Sequence, residues 1–506
     1  MAKSASFKGA AIWAMLHCCG TAWAQAQDAG NVAVLVARAD AVVGLRIGVL
    51  AQASSSASSP ISTGSVASES PVAAARSGRL SELPALLQLS RTLPLKDSPP
   101  TPDVAPVGLL EAIQQGVAHS KDVQAADVRR ESFVQTVLAA EGAQKAHMSL
   151  RSAQGRGHLI ASDERDTLNR HESTLTLRQP LFDRPATYEV DRQAALNNSA
   201  DLQWRSAVST ASVDTSSAYL QVLQARLALE LGREHEVRLA ELLKYVSERA
   251  SVGGTSLAER DRVKARVANA RSQIADSRAT LRAALRKLES QLGEGPAALT
   301  VEWPAQLEVP LSAALAGEEA RINNPDLSAS RAEAHAAGLE ASSYGARWMP
   351  KLDAEVVLAR TLNSAGTASN QRDAKAQLVL NWSLMDGGTD RAQERAALAR
   401  QQEKLLRLED AERKLQQELE VAYAALDAVG ERYVSVKEEL KANMTVVEAF
   451  QAQLVGGSRS LLDVLDAYQR LHQNKLDITS LVIGEVQNQM KVAHLTGRLY
   501  NLGARP

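Results

Sequence analysis

Asp463 and Asp466 stand three residues apart, just after Gly456-Gly457, in the stretch VGGSRSLLDVLDA (455–467). Residues at that spacing share one face of a helix, so the two carboxylates form a single anionic patch. Copies of the patch gathered round an axis would attract cations and repel anions. Crowding would also raise the pKa values of these carboxyl groups. The plainer reading is a pair of solvated acids in a first helical turn, favoured there by the helix dipole. A second glycine pair, Gly253-Gly254, precedes Glu259 in VGGTSLAERDRV (252–263). An explanation is therefore needed that holds at both places.

Other reactive groupings are missing from the sequence. No two histidines stand at H-x-x-x-H spacing, and there is no phosphate-cradling glycine loop and no G-x-S-x-G turn. The reading is of a protein that is no enzyme, with no cofactor and no metal site. The 506-residue chain is 45% hydrophobic but only 4% aromatic, which suits long helices rather than a compact sandwich. Its net charge of -1 offers no basic footprint for nucleic acid.

The first residues read as a secretory signal peptide over 1–24: Lys3 and Lys8, an apolar run from Ala10 to Cys19, and the cleavage pattern Ala22-Trp23-Ala24. Both cysteines, Cys18 and Cys19, fall inside it, so the exported chain is expected to carry no thiol. Leu16-His17 before Cys18 lacks the small residues expected beside a lipidated cysteine. Residues 25–106 are rich in Ala, Ser and Pro and read as a disordered lead-in, with an apolar patch at Leu80–Leu95 that suits a short helix. No later run has the ~18 uninterrupted apolar residues of a spanning helix. Any membrane crossing must use strands.

From Gly108 onward the sequence repeats at about 204 residues. Ser120-Lys121-Asp122-Val123 answers Asn324-Pro325-Asp326-Leu327, Ala218-Tyr219 answers Ala422-Tyr423, and the strand-like Thr174–Asp183 answers Gln377–Asp386. The units are 107–300 and 301–506. Within the second, Leu352, Ala354, Val356 and Leu358, then Leu378, Leu380, Trp382 and Leu384, alternate with other residues at the period of a strand. Leu175 and Leu177 do the same in the first unit, where the preceding strand near Ser149–Gly157 is polar. Long helical patterns follow over Arg192–Ser251, Leu257–Leu292, Gly388–Leu454 and Ser460–Leu499, with coiled-coil spacing of Leu and Ala. The third is 67 residues without a proline, ~100 Å long at ~1.5 Å per residue. The glycine pairs then become the tips of two helical hairpins. Tyr219 and Tyr423 are expected to be helix-packing aromatics.

Four strands of about ten residues cannot close a barrel, because about eight is the smallest number whose interior fills, and open edges in lipid leave backbone groups unpaired. Several copies must contribute. The predicted fold is therefore mainly α with a membrane β-barrel. Long coiled-coil helices form a periplasmic α-barrel, and each chain adds four strands to a shared outer-membrane β-barrel whose Leu378, Leu380 and Trp382 face lipid.

With these features the sequence resembles the TolC-like outer-membrane efflux and secretion ducts. The resemblance covers about Val107 to Gly503 and rests on the order, duplicated, of Asn323-Asn-Pro-Asp-Leu, Arg347-Trp-Met-Pro, RQPLFD at Arg178, SSAYLQVLQA at Ser216 and GSRSLLDVLDA at Gly457. It implies a homotrimer with twelve strands in its outer-membrane barrel, extending into the periplasm of a Gram-negative cell. It implies as partners a periplasmic adaptor, an inner-membrane ABC or other transporter, and outer-membrane lipid. Asp463 and Asp466 match the acids of the periplasmic entrance, Glu259 an acid of the first hairpin, and Arg459 a basic residue of the closing network. Gly253, Gly254, Gly456 and Gly457 would meet the adaptor at the hairpin tips. Leu454 stands where the family has a tyrosine, the polar strand near Ser149 lacks a proline like Pro350, and the lead-in is longer.

The implied function is export of protein by type I secretion across the outer membrane, for example of a toxin. A small-molecule efflux component is the nearest alternative. A periplasmic coiled-coil adaptor is the alternative of another class.

Overall fold

The computed structural model describes residues 79–87, 92–94, 106–161, 164–296, 298–301, 309–363 and 369–500. The expected signal peptide and most of the lead-in lie outside these. In chain order the elements are α1 (Arg79–Leu87), β1 (Thr92–Pro94), α2 (Leu109–His119), α3 (Lys121–Gly142), β2 (His147–Ala161), β3 (Glu164–Phe182), α4 (Arg184–Ser251) and α5 (Leu257–Leu292). The second half adds β4 (Ala298–Thr300), α6 (Ala313–Asn323), α7 (Pro325–Gly345), β5 (Lys351–Leu362), β6 (Asn370–Asn381), α8 (Thr389–Val455) and α9 (Leu461–Leu495).

The long helices hold together by a seam that the sequence spells out. On α8 the buried residues Leu419, Leu426, Tyr433, Leu440, Val447 and Leu454 recur every seven positions. On α5 Val267, Ile274, Leu281 and Leu288 do the same. A sustained seven-residue period keeps the seam facing its partner only if the helices supercoil left-handedly. Both α4 and α8 exceed 65 residues, so each hairpin tip lies ~100 Å along the helix from the strands.

The duplication is visible in the backbone. Ser120 and Asn324, at matching places, break α2 from α3 and α6 from α7 with nearly the same dihedrals (φ -60, ψ 122 and φ -67, ψ 120). Each then caps the following helix, its side-chain oxygen accepting the N–H of Val123 or Leu327. Gly293 and Gly497, likewise matched, sit at positive φ against His119 and the backbone of Asn323. A Cβ at Gly497 would stand 2.3 Å from that carbonyl oxygen, so glycine is required there.

Three expectations need correction. The strands exceed the expected length of about ten residues, most of all in the first hairpin: β2 has 15 residues and β3 has 19, against 12 each in β5 and β6. The polar strand is regular because backbone pairing does not depend on apolar side chains, and its Met148 and Leu150 meet Leu177 and Leu175. The last strand stops at Asn381, so Trp382 and Leu384 lie beyond it. Finally, the lead-in is not disordered throughout, and the short helix expected within Leu80–Leu95 is α1 (Arg79–Leu87). Leu80, Leu83 and Leu87 of α1 are buried, and β1 pairs with β4.

Candidate functional site: a membrane wall and a paired-hairpin tip

The wall is the antiparallel sheet β2-β3-β5-β6. Its register carries rows of like character straight across the strands. Met148, Leu177, Val356 and Ala376 form one row, and Leu150, Leu175, Leu358 and Ala374 form the next. Leu352 and Ala354 continue this apolar face beside Leu380 and Leu378. The last two are well exposed in the single chain (62% and 66%). Trp382 is exposed too, but its indole N–H donates to the Trp348 carbonyl at 2.9 Å, tying the base of the second hairpin.

The opposite face is charged. Arg178 donates to Asp353 at 2.6 Å and lies 4.0 Å from Glu355, which accepts from Gln377. Lys351 pairs with Asp183 at 3.0 Å, and the Asp183 side chain also accepts the N–H of Ala186 to cap α4. Asp353 is only 2% exposed, and burial of a carboxylate requires such a partner. This cluster joins the strands to the helices. In the sequence Arg178 opens the RQPLFD motif, and nothing local pairs it with an aspartate 175 positions away.

The tips of the hairpins are built alike. Gly253 and Gly457 take positive φ (73 and 75), where other residues are strained. The next N–H in each case, from Gly254 or Ser458, donates to a carbonyl five residues back, on Arg249 or Gln453. Gly456 has φ -72 and only continues the last turn. Ser256 and Ser460 then start the returning helices, accepting the N–H of Glu259 and Asp463. The tips lie side by side, since the Tyr245 hydroxyl of the first hairpin reaches the Leu454 carbonyl of the second at 3.5 Å. Leu454 itself is buried in that contact.

The acids divide by use. Glu259 completes a capping box with Ser256 and also accepts from Thr255. Asp463 pairs with Arg459 at 3.0 Å, and the Arg459 guanidinium lies 3.9 Å from the Phe450 ring centre. Asp466 is exposed, one turn further along α9. Within one chain Arg459 is thus held to its own hairpin.

A buried polar cluster between α4 and α9 was not anticipated. His235 and His472 stack with ring centres 4.5 Å apart. Beside them the buried Lys475 donates to both oxygens of Glu234 at 2.7 Å, and Arg238 donates to the same carboxylate. Burial, and then the facing His472, push the His235 pKa down to about 4. Burial lowers that of His472 as well. The signal was two lone histidines in separate helices, which carries no information until the helices are placed together. Among the described residues no group of three or more His, Cys, Asp or Glu is arranged to hold a metal. No described helix is long and apolar enough to cross a membrane.

Residues 316–497 match the family model described as outer membrane efflux protein. The alkaline protease secretion protein AprF of Pseudomonas aeruginosa is 25% identical over 307 residues, 59% of this chain and 64% of that one. The matched region thus spans just under two thirds of that relative's length. The outer membrane protein TolC of Escherichia coli is 22% identical over 347 residues, 65% of this chain and 70% of that one. Among solved structures, CusC superposes with a TM-score of 0.70 at 13% identity, over 80% of this chain and 96% of that one. At that identity the superposition speaks for the fold, a helical tunnel joined to a β-barrel.

Proposed function

Because the chain is a TolC-like outer-membrane factor, we propose that three copies assemble into one continuous duct, a twelve-stranded barrel in the outer membrane joined to a helical barrel in the periplasm. The observation that carries this is the open sheet. β2 and β6 each have one unpaired edge, while the face between them is apolar in two full rows that Ala354, Leu378, Leu352 and Leu380 continue on β5 and β6. Open edges in lipid are untenable, and closure by copies of the same chain removes them. Leu378 and Leu380 then face lipid, with Trp382 at the base of the strands. The repeats 107–300 and 301–506 supply matching halves of each barrel.

Asp463 and Asp466 of three chains ring the periplasmic entrance, with Arg459 as the closing cation and Glu259 holding the neighbouring tip in shape. The tips at Gly253-Gly254 and Gly456-Gly457 meet a periplasmic adaptor bound to an inner-membrane transporter. The cargo we favour is protein, as in type I secretion, because the relative aligned above is named for secretion of a protease. Small-molecule efflux is the second reading, and the efflux description of the matched family favours it. A periplasmic adaptor fits poorly, since an adaptor has no use for a sheet with an apolar outer face.

The test is ion conductance of the purified protein across a planar lipid bilayer, native against Asp463→Ala with Asp466→Ala. Stable cation-preferring steps in the native chain, with the preference lost in the variant, are expected. A chain that leaves the cell without detergent and gives no steps even after Arg459→Ser overturns the reading.

A further inference from the structure

We propose that the outer end of the wall's lipid-facing side binds the phosphate-bearing head of an outer-leaflet lipid, a phosphorylated glycolipid, through Arg360 and Arg372. The inference rests on the outer-membrane reading above and adds a ligand to it. Arg360 of β5 and Arg372 of β6 are direct cross-strand partners. They follow immediately upon the apolar row of Leu150, Leu175, Leu358 and Ala374, on the same face and away from the helices. Both are exposed, and neither has an ion pair among the described residues.

Like charges directly opposite each other on a sheet repel and weaken the pair. Here nothing on that face offsets them. Alternation assigns Arg156 of β2 to the same side, two rows further out, and no Asp or Glu shares that side in the described parts of the four strands. The acids of the sheet, Glu164, Asp166, Glu172, Asp353, Glu355 and Asp373, all take the other parity in the register. Ser152 and Ser173 complete the row of the two arginines, their hydroxyls 3.2 Å apart, and His171 stands 2.9 Å from Ser173 Oγ.

The site is therefore a cationic and hydroxyl-bearing ledge directly above an apolar wall. A free anion would match only the ledge, and an uncharged lipid only the wall. Arginine's planar fork binds phosphate in two-pronged fashion, and two of them side by side suit a dianionic head whose acyl chains lie along Leu358 and Ala374.

The experiment uses the full-length protein in detergent micelles, titrated with diphosphoryl lipid A and followed by native mass spectrometry. Chemically dephosphorylated lipid A and inorganic phosphate are the comparison ligands. Diphosphoryl lipid A is expected to be retained, and Arg360→Gln or Arg372→Gln to weaken retention about tenfold each. Lys375→Gln, on the opposite face, removes the same charge and should leave retention unchanged. Equal retention of the dephosphorylated lipid by the native protein overturns the proposal without any variant. Displacement by inorganic phosphate at comparable concentration also overturns it, reducing the ledge to a bare anion site. Conductance of the same samples separates the two levels. Pores with no phosphate preference remove this inference alone, whereas a native chain that never inserts removes the duct and the lipid site together.

Discussion

Glu259 and Asp463 occupy the same station in the two hairpins: each is the third residue of its helix, and its backbone N–H donates to the serine that starts that helix, at 3.2 and 3.3 Å. Their carboxylates have diverged. Glu259 turns back on its own turn, to Ser256 and Thr255, while Asp463 reaches Arg459. One site keeps the fold of a tip. The other has a cation that can be shared.

That difference makes Arg459 the residue to change. Its guanidinium lies between Asp463 and the face of Phe450, a position that leaves other donors free for a neighbouring chain. Arg459→Ser is expected to raise single-channel conductance several-fold in a planar bilayer. The thermal midpoint should move little, since a half-exposed ion pair is worth ~0–1 kcal/mol. Unchanged conductance would assign Arg459 to the shape of the tip alone.

Tyr219 and Tyr423 do more than pack. Their hydroxyls donate to backbone carbonyls at the repeat boundaries, Tyr219 to Thr300 at 2.6 Å, where the first repeat ends, and Tyr423 to Pro310 at 2.6 Å, near the start of the second. Replacing either by Phe keeps the ring and leaves a part-buried carbonyl less satisfied. A loss of ~1–2 kcal/mol per site is expected in denaturant unfolding, with the assembly intact.

The histidine stack sets a pH window. His235 is held neutral, its pKa down at about 4 against 6.5 when unfolded, by burial and by His472. A proton bound only on unfolding favours the unfolded chain. The contribution is therefore fully present above pH ~6.5 and falls away toward pH ~4, on the order of 3 kcal/mol in all. Charged groups facing the pair are Glu234 and Arg238 on α4, Arg266 on α5, and Lys475 on α9. Glu234 pulls the opposite way but is engaged by Lys475. His235→Phe should flatten the acid limb of a thermal midpoint against pH profile, and an unchanged limb would exclude the pair as its source.

The docked part of the lead-in should also register in stability. Arg79 bonds the nearly inaccessible Glu485 of α9 at 3.0 Å and lies 4.6 Å over the ring of Tyr433 on α8. It bridges the two helices of the second hairpin. Arg79→Ala should cost ~1–3 kcal/mol, because the buried Glu485 carboxylate loses a hydrogen-bond donor. Leu83→Asp should cost at least as much by expelling α1. A midpoint indifferent to both would mean that α1 does not stay docked in solution.

The period of the sequence determined a good deal. Seven-residue spacing from Leu419 to Leu454 and two-residue alternation from Leu352 to Leu358 state the element types without reference to anything distant. The 204-residue repeat told which elements are equivalent, and glycines at 253 and 457 marked the reversals because positive φ leaves few other choices. These are local properties, written in neighbouring residues.

What lay beyond reach was every pairing between distant segments. Arg178 with Asp353, Arg79 with Glu485, His235 with His472 and Arg360 with Arg372 each join residues whose meeting depends on strand register or on the rotation of one helix against another. Shifting β6 by one residue against β5 would turn Arg372 to the other face. A charge shows its sign in the sequence. Whether it is neutralised, buried or left facing lipid is decided only when the other chain segments close around it.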